Sequence, residues 1–192
     1  MGQHACGHHE GQMSAVCAAC RVRSISVCAA LDEDELNDLS SLATDAHFAA
    51  RETMAAQGRA AEAVFNITEG TVRTYRLLPD GRRQIFGFLL PGDFLGLSLG
   101  DIYGFSADAV SPVRACRFAR TRFDALVAAK PHLLRRLHEA AGHELALARD
   151  HAVLLGRRSA DERVAAFLVD LRDRLKRSGA GGDVTVPLAM TR

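Results

Sequence analysis

Thr71-Val72-Arg73-Thr74-Tyr75-Arg76-Leu77-Leu78-Pro79-Asp80-Gly81-Arg82-Arg83-Gln84-Ile85-Phe86-Gly87-Phe88-Leu89-Leu90-Pro91-Gly92-Asp93 is the stretch that decides the fold. Thr71–Leu77 alternates, with Val72, Thr74 and Arg76 opposite Thr71, Arg73, Tyr75 and Leu77, the period of a half-buried strand. Pro79-Asp80-Gly81 is a turn with a mechanism, because Pro presets φ and Gly accepts a positive one. Arg83–Leu90 then returns as the partner strand, and Pro91-Gly92-Asp93 turns the chain again. Upstream, Ala63–Ile67 is a further apolar run before a Glu69-Gly70 turn, and downstream Val113–Phe118 closes the region. Short runs punctuated by Gly and Pro from about Thr53 to Phe118 predict an antiparallel barrel or jelly roll.

Helical patterns flank this region. Leu31, Leu36, Leu39 and Leu42 are spaced as a short amphipathic helix, with Asp32 as cap and Glu35 three residues later. Thr121–Ala129 reads as a short helix, and Pro131 suits the first turn of a longer one. Along that helix runs a stripe of Leu134, Leu137, Ala141, Leu145, Ala148, Ala152 and Leu155, whose mean step of 3.5 is the coiled-coil period. The stripe predicts a parallel dimer seam; packing on the chain's own barrel is the plainer alternative. Its Ala-rich middle buries little area, and at roughly 0.8 kcal/mol per CH₂ each Ala forgoes a couple of kcal/mol against Leu, so the seam is marginal. Asp150 flanks the seam, where two copies would repel across a two-fold axis or each would pair with a nearby basic residue. Gly156 ends the helix, and Ser159-Ala160-Asp161-Glu162 is a capping box for another, Asp161 to about Arg177. Gly179–Gly182 reads as a link, Asp183–Val186 as a strand, and the stop at Arg192 as a truncation. Residues 1–16, rich in Gly, His and Ala, read as a mobile tail.

With 192 residues, 48% hydrophobic and 24% charged, the chain can bury a core, and its net charge of +1 is not that of a strongly basic nucleic-acid binder. No run reaches the roughly 18 apolar residues of a membrane span, and the first residues lack a signal peptide's pattern, so the expected location is the cytoplasm. In that reducing compartment five cysteines point to metal or redox chemistry rather than structural disulfides.

Cys17, Cys20 and Cys28 form C-x₂-C-x₇-C, Cys116 lies far away in the last barrel strand, and Cys6 is in the tail. Clustered thiolates suit a soft metal or an iron–sulfur cluster, which takes four Cys ligands. Arg21 and Arg23 offset their charge, and Ala18, Ala19, Ser24, Ser26 and Ala29 let the chain coil round a core. Zinc would accept Cys₄ or Cys₃His, with His4, His8 and His9 nearby, and Cys116 alone would be an ordinary strand residue, so spacing by itself leaves iron–sulfur, zinc and no metal open. A cupin-like enzyme needs His inside the barrel, and Met54–Phe118 contains none; no nucleophile motif is present either.

Three segments resemble the effector-binding barrel of the CRP/FNR superfamily of transcription regulators: Phe65-Asn66-Ile67-Thr68-Glu69-Gly70-Thr71-Val72-Arg73, Asp80-Gly81-Arg82-Arg83-Gln84-Ile85 and Pro91-Gly92-Asp93-Phe94-Leu95-Gly96. Arg157–Leu168 and Val186–Arg192 resemble the segments that follow that family's dimerisation helix and lead into its winged helix-turn-helix. The resemblance implies an α+β fold: a double-stranded β-helix, or jelly roll, of the cNMP-binding type, then a long dimerisation helix, with the DNA-binding winged helix missing from this chain. The divisions implied are a tail and cluster loop at 1–30, a sensor barrel at 31–130, a dimerisation helix at 131–157, and the start of a DNA-binding domain at 158–192.

Cyclic-nucleotide members of the family carry a Glu after Gly-Asp-Phe-x-Gly and an Arg-Ser pair for the phosphate. Leu97 and Phe105-Ser106 stand there instead, which removes the charge-assisted phosphate contact, and no cyclic nucleotide is expected. The FNR branch carries an N-terminal cysteine trio plus one barrel cysteine, and the x₇ interval resembles its FnrL or FnrN group. This implies that Cys17, Cys20, Cys28 and Cys116 bind a 4Fe–4S cluster whose loss in oxygen loosens a homodimer. A carboxylate in the best-studied relatives is replaced here by Ala148. DNA would be read by a region after Arg192, and RNA polymerase would be touched, by analogy, near Pro79–Arg83 and Gly92–Gly96. A zinc-bound or metal-free regulator sensing another small effector is the alternative.

Overall fold

The structure, a computed structural model, describes residue 17 and residues 19–97, 100–157 and 159–177, with side chains at all of these except 30, 143–144, 147, 150–157 and 177. The expected tail, Cys6, the tail histidines, the Gly179–Gly182 link and the Asp183–Val186 strand lie outside the described residues.

A 3₁₀ turn, Val27–Ala30, leads into helix α1, Glu33–Leu42. The predicted capping box is present: the Asp32 carboxylate accepts from the Glu35 N–H at 2.8 Å, and the Glu35 side chain accepts from the Asp32 N–H. Eight strands follow: β1 Ala43–Phe48, β2 Thr53–Ala55, β3 Ala63–Glu69, β4 Val72–Leu77, β5 Arg83–Leu89, β6 Phe94–Leu95, β7 Ser106–Ala109 and β8 Val113–Ala119. They form two four-stranded sheets, ordered β1-β8-β3-β6 and β2-β7-β4-β5, with every pair antiparallel. This is the predicted jelly roll. The sequence pattern missed β1: its exposure alternates along a sheet edge, and Ala43-Thr44-Asp45-Ala46 lacks the apolar run that marks a buried strand.

The β4–β5 hairpin is as read, with one difference. Thr74 pairs with Gly87 but Tyr75 with Ile85, so Phe86 is an extra residue that breaks the register. Val72 and Thr74 are buried as the alternation predicts, and Tyr75 is buried as well, its hydroxyl donating to Asp108 at 3.1 Å.

Two apolar cores share the first sheet. Its inner face contributes Phe65, Ile67, Val113 and Ala115 to the barrel interior, together with Val72, Leu89, Leu95, Tyr103 and Ala107. Its outer face contributes Val64 and Phe118 to a second core under the helices. Helix α2, Arg120–Ala129, supplies Phe123 to that core, and α1 supplies Leu36 and Leu39. Helix α3, Pro131–Arg157, supplies Leu133 and Leu137, and runs one residue past Gly156. Helix α4, Ala160–Arg177, begins with the predicted reciprocal cap, in which Ser159 and Glu162 exchange bonds of 2.8 and 3.3 Å.

Helix α4 is tied back to the barrel: Arg174 donates to the Phe88 carbonyl at 3.0 Å and pairs with the Asp93 carboxylate, and Phe167 meets Phe88 with ring centroids 5.5 Å apart. No helix among the described residues is long and apolar enough to cross a membrane.

Candidate metal centre

The cysteine loop coils through successive short turns. The Cys20 N–H donates to the Cys17 carbonyl and the Arg23 N–H to the Cys20 carbonyl, both at 3.3 Å, and the Ser26 N–H donates to Val22 at 3.0 Å. Small residues permit that curvature, while Val22 is buried and Val27 anchors the loop in the second core. Ser26, also buried, accepts from the Cys28 N–H at 3.3 Å and so caps the 3₁₀ turn that carries the third cysteine. Val27, Leu31, Leu133 and Leu137 share one cluster, which packs the turn on the N-terminal half of α3.

Cys116 sits in β8 between β1 and β3, opposite Asp45 on one side and Asn66 on the other. Period-two alternation puts Cys116 on the outer face with Phe118, away from the barrel interior that receives Ala115. The loop crosses that face. Cys17, Cys20, Cys28 and Cys116 consequently line one pocket of about 370 Å³ of empty space, part of it open to solvent. All four are half-buried and none is in a disulfide. The rest of the lining is Leu36, Leu39, Ala43 and Phe118, with Arg23, Ser40 and Asn66 as the other polar side chains. The four residues predicted as ligands are thus on one cavity, although among the described residues no three His, Cys, Asp or Glu groups are drawn together as for a single metal ion.

Burial raises the Cys28 thiol above its ordinary pKa and the nearby Cys20 adds to the rise, against the lowering pull of the Ser26 hydrogen bond and the Arg23 charge. A thiol held protonated in this way gives up its proton when it ligates a metal.

Sequence reasoning missed Asn66 and Ser40 in this pocket. Ser40 donates to the Asn37 carbonyl at 2.9 Å and is satisfied within its helix. Asn66 is only 2% exposed, and its Oδ1 has no hydrogen-bond partner. Leaving such a group unpaired costs about 1–3 kcal/mol. A single amide inside the apolar run Ala63–Ile67 was the available signal.

The donor set fits an iron–sulfur core. Among the described residues it is all thiol, with no carboxylate or imidazole in the lining, and soft sulfur ligands are the ones such cores take.

The stripe on α3 divides. Leu134 and Leu145 are 54% and 52% exposed, and Ala141 and Ala148 are exposed as well. Leu137 departs from the expected seam: it is 9% exposed and packs with Leu133 in the chain's own second core. An i, i+4 pair shares a helix face, so Leu137 faces the barrel with Leu133. The side chains of Asp150, Ala152 and Leu155 lie outside the described residues.

The barrel interior is filled by its own side chains. The Tyr103 hydroxyl donates to the Ala63 carbonyl at 2.7 Å, Phe105 packs against the inner core, and the Ser106 hydroxyl accepts from the Gln57 N–H at 3.1 Å. A second, more open cavity lies at the barrel's edge, lined in part by Phe48, Arg59, Glu62, Tyr103 and Arg117.

The cyclic nucleotide-binding domain model matches residues 46–130. The nitrogen fixation regulation protein FixK of Bradyrhizobium diazoefficiens is 49% identical over 176 residues, covering 92% of this chain and 74% of its own. The transcriptional activator protein FnrL of Cereibacter sphaeroides is 32% identical over 179 residues, covering 92% and 72%. The solved structure of FixK2 from Bradyrhizobium japonicum superposes with a TM-score of 0.69 at 34% identity, covering 78% of this chain and 73% of the other. These relatives are regulators of transcription, not enzymes.

Proposed function

The chain belongs to the CRP/FNR family of transcription regulators, and from that premise we propose that it is an oxygen-responsive member whose Cys17, Cys20, Cys28 and Cys116 hold a 4Fe–4S cluster. The observation that carries this reading is the convergence of three loop thiols and one remote strand thiol on a single cavity. When bound, the cluster supplies oxygen-sensitive redox chemistry. Everything else is done by the chain.

Cys116 is fixed by two neighbouring strands, so it is the rigid ligand. Cys17, Cys20 and Cys28 are on a loop whose position depends on what it is tied to. Tied to Cys116, the loop presses its 3₁₀ turn against Leu133 and Leu137 and steadies the first half of α3. The adjoining edge of that helix then offers Leu134, Ala141, Leu145 and Ala148, all exposed, to a second copy. The same loop touches the Pro91–Asp93 turn, where Ile25 lies over Gly92, and Asp93 in turn holds Arg174 of α4. Loop order thus reaches both the dimer helix and the helix that follows it. A seam poor in large side chains responds to small changes, since about 1.4 kcal/mol alters a dimer constant tenfold.

In this reading the chain forms a homodimer in the cytoplasm that acts on DNA, and RNA polymerase is met by analogy near Pro79–Arg83 and Gly92–Gly96. No cyclic nucleotide is expected, because Phe105 and Ser106 are engaged in packing and in the Gln57 bond. The alternative is a zinc-bound or metal-free regulator; the cavity lined by Arg59, Glu62, Tyr103 and Arg117 is where another small effector would fit.

The test is anaerobic purification with iron, acid-labile sulfide and zinc quantified, followed by admission of air. A straw-brown protein that bleaches is the expected result. Material with neither iron nor sulfide after reconstitution refutes the reading, and stoichiometric zinc supports the alternative.

A further inference from the structure

Asn66 breaks the pattern of its strand. Val64, two residues earlier on the same face, is packed in the second apolar core, and an apolar residue at 66 would continue that surface. The side chain present is a carboxamide, 2% exposed, lining the cavity of the four cysteines, with an unpartnered Oδ1. In the β3–β8 register it stands directly opposite Cys116. Directly opposed residues leave the same face of a sheet with Cβ atoms about 4.5–5.5 Å apart, within reach of one another's side chains. Most buried polar side chains are paired, so an orphan at a cavity wall points to a partner that enters the cavity.

A carboxamide accepts on one side and donates two N–H bonds on the other, and its two ends differ little in shape. Turned over, the Asn66 amide places its Nδ2–H₂ where the unpaired Oδ1 stands. We propose that Asn66 donates an N–H···S hydrogen bond to a sulfur of the bound cluster, with the Cys116 thiolate nearest by register, and that this bond sets the cluster's reduction potential and its lifetime in air. The inference rests on the cluster reading above. A hydrogen bond to sulfur draws charge from it and favours the reduced state, raising the potential. Groups that hold metal ligands in place also slow their loss. Asn66 is a positioning residue here; the four thiols remain the ligands.

The experiment compares wild type, Asn66→Leu and Asn66→Ser. The cluster-free proteins are melted first: Asn66→Leu melts no lower than wild type, because the change removes an unpaired buried group and continues an apolar face. The anaerobically reconstituted proteins are then assayed for iron and sulfide, for midpoint potential, and for the rate of visible bleaching in air. Asn66→Leu is expected to load, to titrate at a more negative potential, and to bleach about tenfold faster; Asn66→Ser, which keeps a donor, falls between. A Leu variant that fails to load while the Ser variant loads also supports the role. Equal potentials and bleaching rates in loaded wild type and Leu variant overturn it and leave the cluster reading standing. A cluster-free Leu variant that melts well below wild type overturns it too, by showing that the amide serves the fold. Wild type that binds no iron ends the cluster reading itself, and this inference with it.

Discussion

The two faces of the β1-β8-β3-β6 sheet are made by the same strands and end in opposite states. On the inner face Phe65, Ile67, Val113 and Ala115 close against the second sheet, and the one phenol among them, Tyr103, has found a carbonyl. On the outer face Val64 and Phe118 pack under the helices, but Asn66 and Cys116 between them open onto a cavity with an unpaired amide. In a fold whose family model is named for nucleotide binding, the inner face is largely packed, with an open cavity at the barrel's edge, while the outer face carries an unpaired amide beside a cysteine. A single strand serves both ends because its period of two sends neighbouring residues to different environments.

The largest effect is expected from breaking the outer face. Cys116→Ser should abolish cluster loading, seen as loss of visible absorbance and bound iron, while circular dichroism and cluster-free melting change little. Unaltered iron content in that variant would remove Cys116 from the ligand set. Next comes the inner face. Ile67 is fully buried, so Ile67→Ala should cost about 2–5 kcal/mol in denaturant unfolding while leaving the iron per folded chain unchanged; a selective loss of iron would show that the faces are not separable.

The division of α3 sharpens the same contrast one layer out. Leu145→Ala should weaken a dimer about tenfold or more, from roughly 1.5–3 kcal/mol per buried Leu, with no change in monomer stability, as read by sedimentation and by melting at low concentration. Leu137→Ala should lower monomer stability, because that side chain is in the chain's own core. If both substitutions affect only the dimer, the helix is differently turned. The smallest effect belongs to the far end of the relay. Arg174→Ala removes a charge-assisted pair to Asp93 and a bond to Phe88, worth about 1.5–3 kcal/mol at most and screened in part by solvent. Amide exchange in α4 should quicken while the cysteine pocket is untouched. Exchange that quickens instead in the cysteine loop would show the coupling running the other way.

Much of this was legible in the residues. The Pro79-Asp80-Gly81 turn was so because its conformation is local: Gly81 has φ of +81°, and the Gly81 N–H donates to the Leu78 carbonyl at 2.9 Å. The Asp32–Glu35 and Ser159–Glu162 caps were readable for the same reason, since both partners lie within one turn. The ligand set was proposed from the cysteine trio together with a family resemblance. Three features were hidden. Phe86 was not readable as a bulge, because an extra residue leaves no trace until its partner strand is counted. Leu137 fits a 3.5-residue stripe on paper, yet a helix with apolar residues at 133, 134 and 137 can turn either edge inward, and only the neighbouring turn and barrel choose. Asn66 could be noticed as polar but not as unpaired, since that requires knowing every atom around it.

The sequence by itself determined the turns, the caps, the alternation of the barrel strands and the supply of four thiols, because each of these is set by bonds and sterics spanning a few residues. Only the tertiary structure decided that the loop crosses the outer face of β8, that Cys116 and Asn66 stand side by side on it, and which edge of α3 is left for a partner. Those outcomes depend on contacts between residues far apart in the chain, where packing in three dimensions selects among arrangements that local propensity leaves equal.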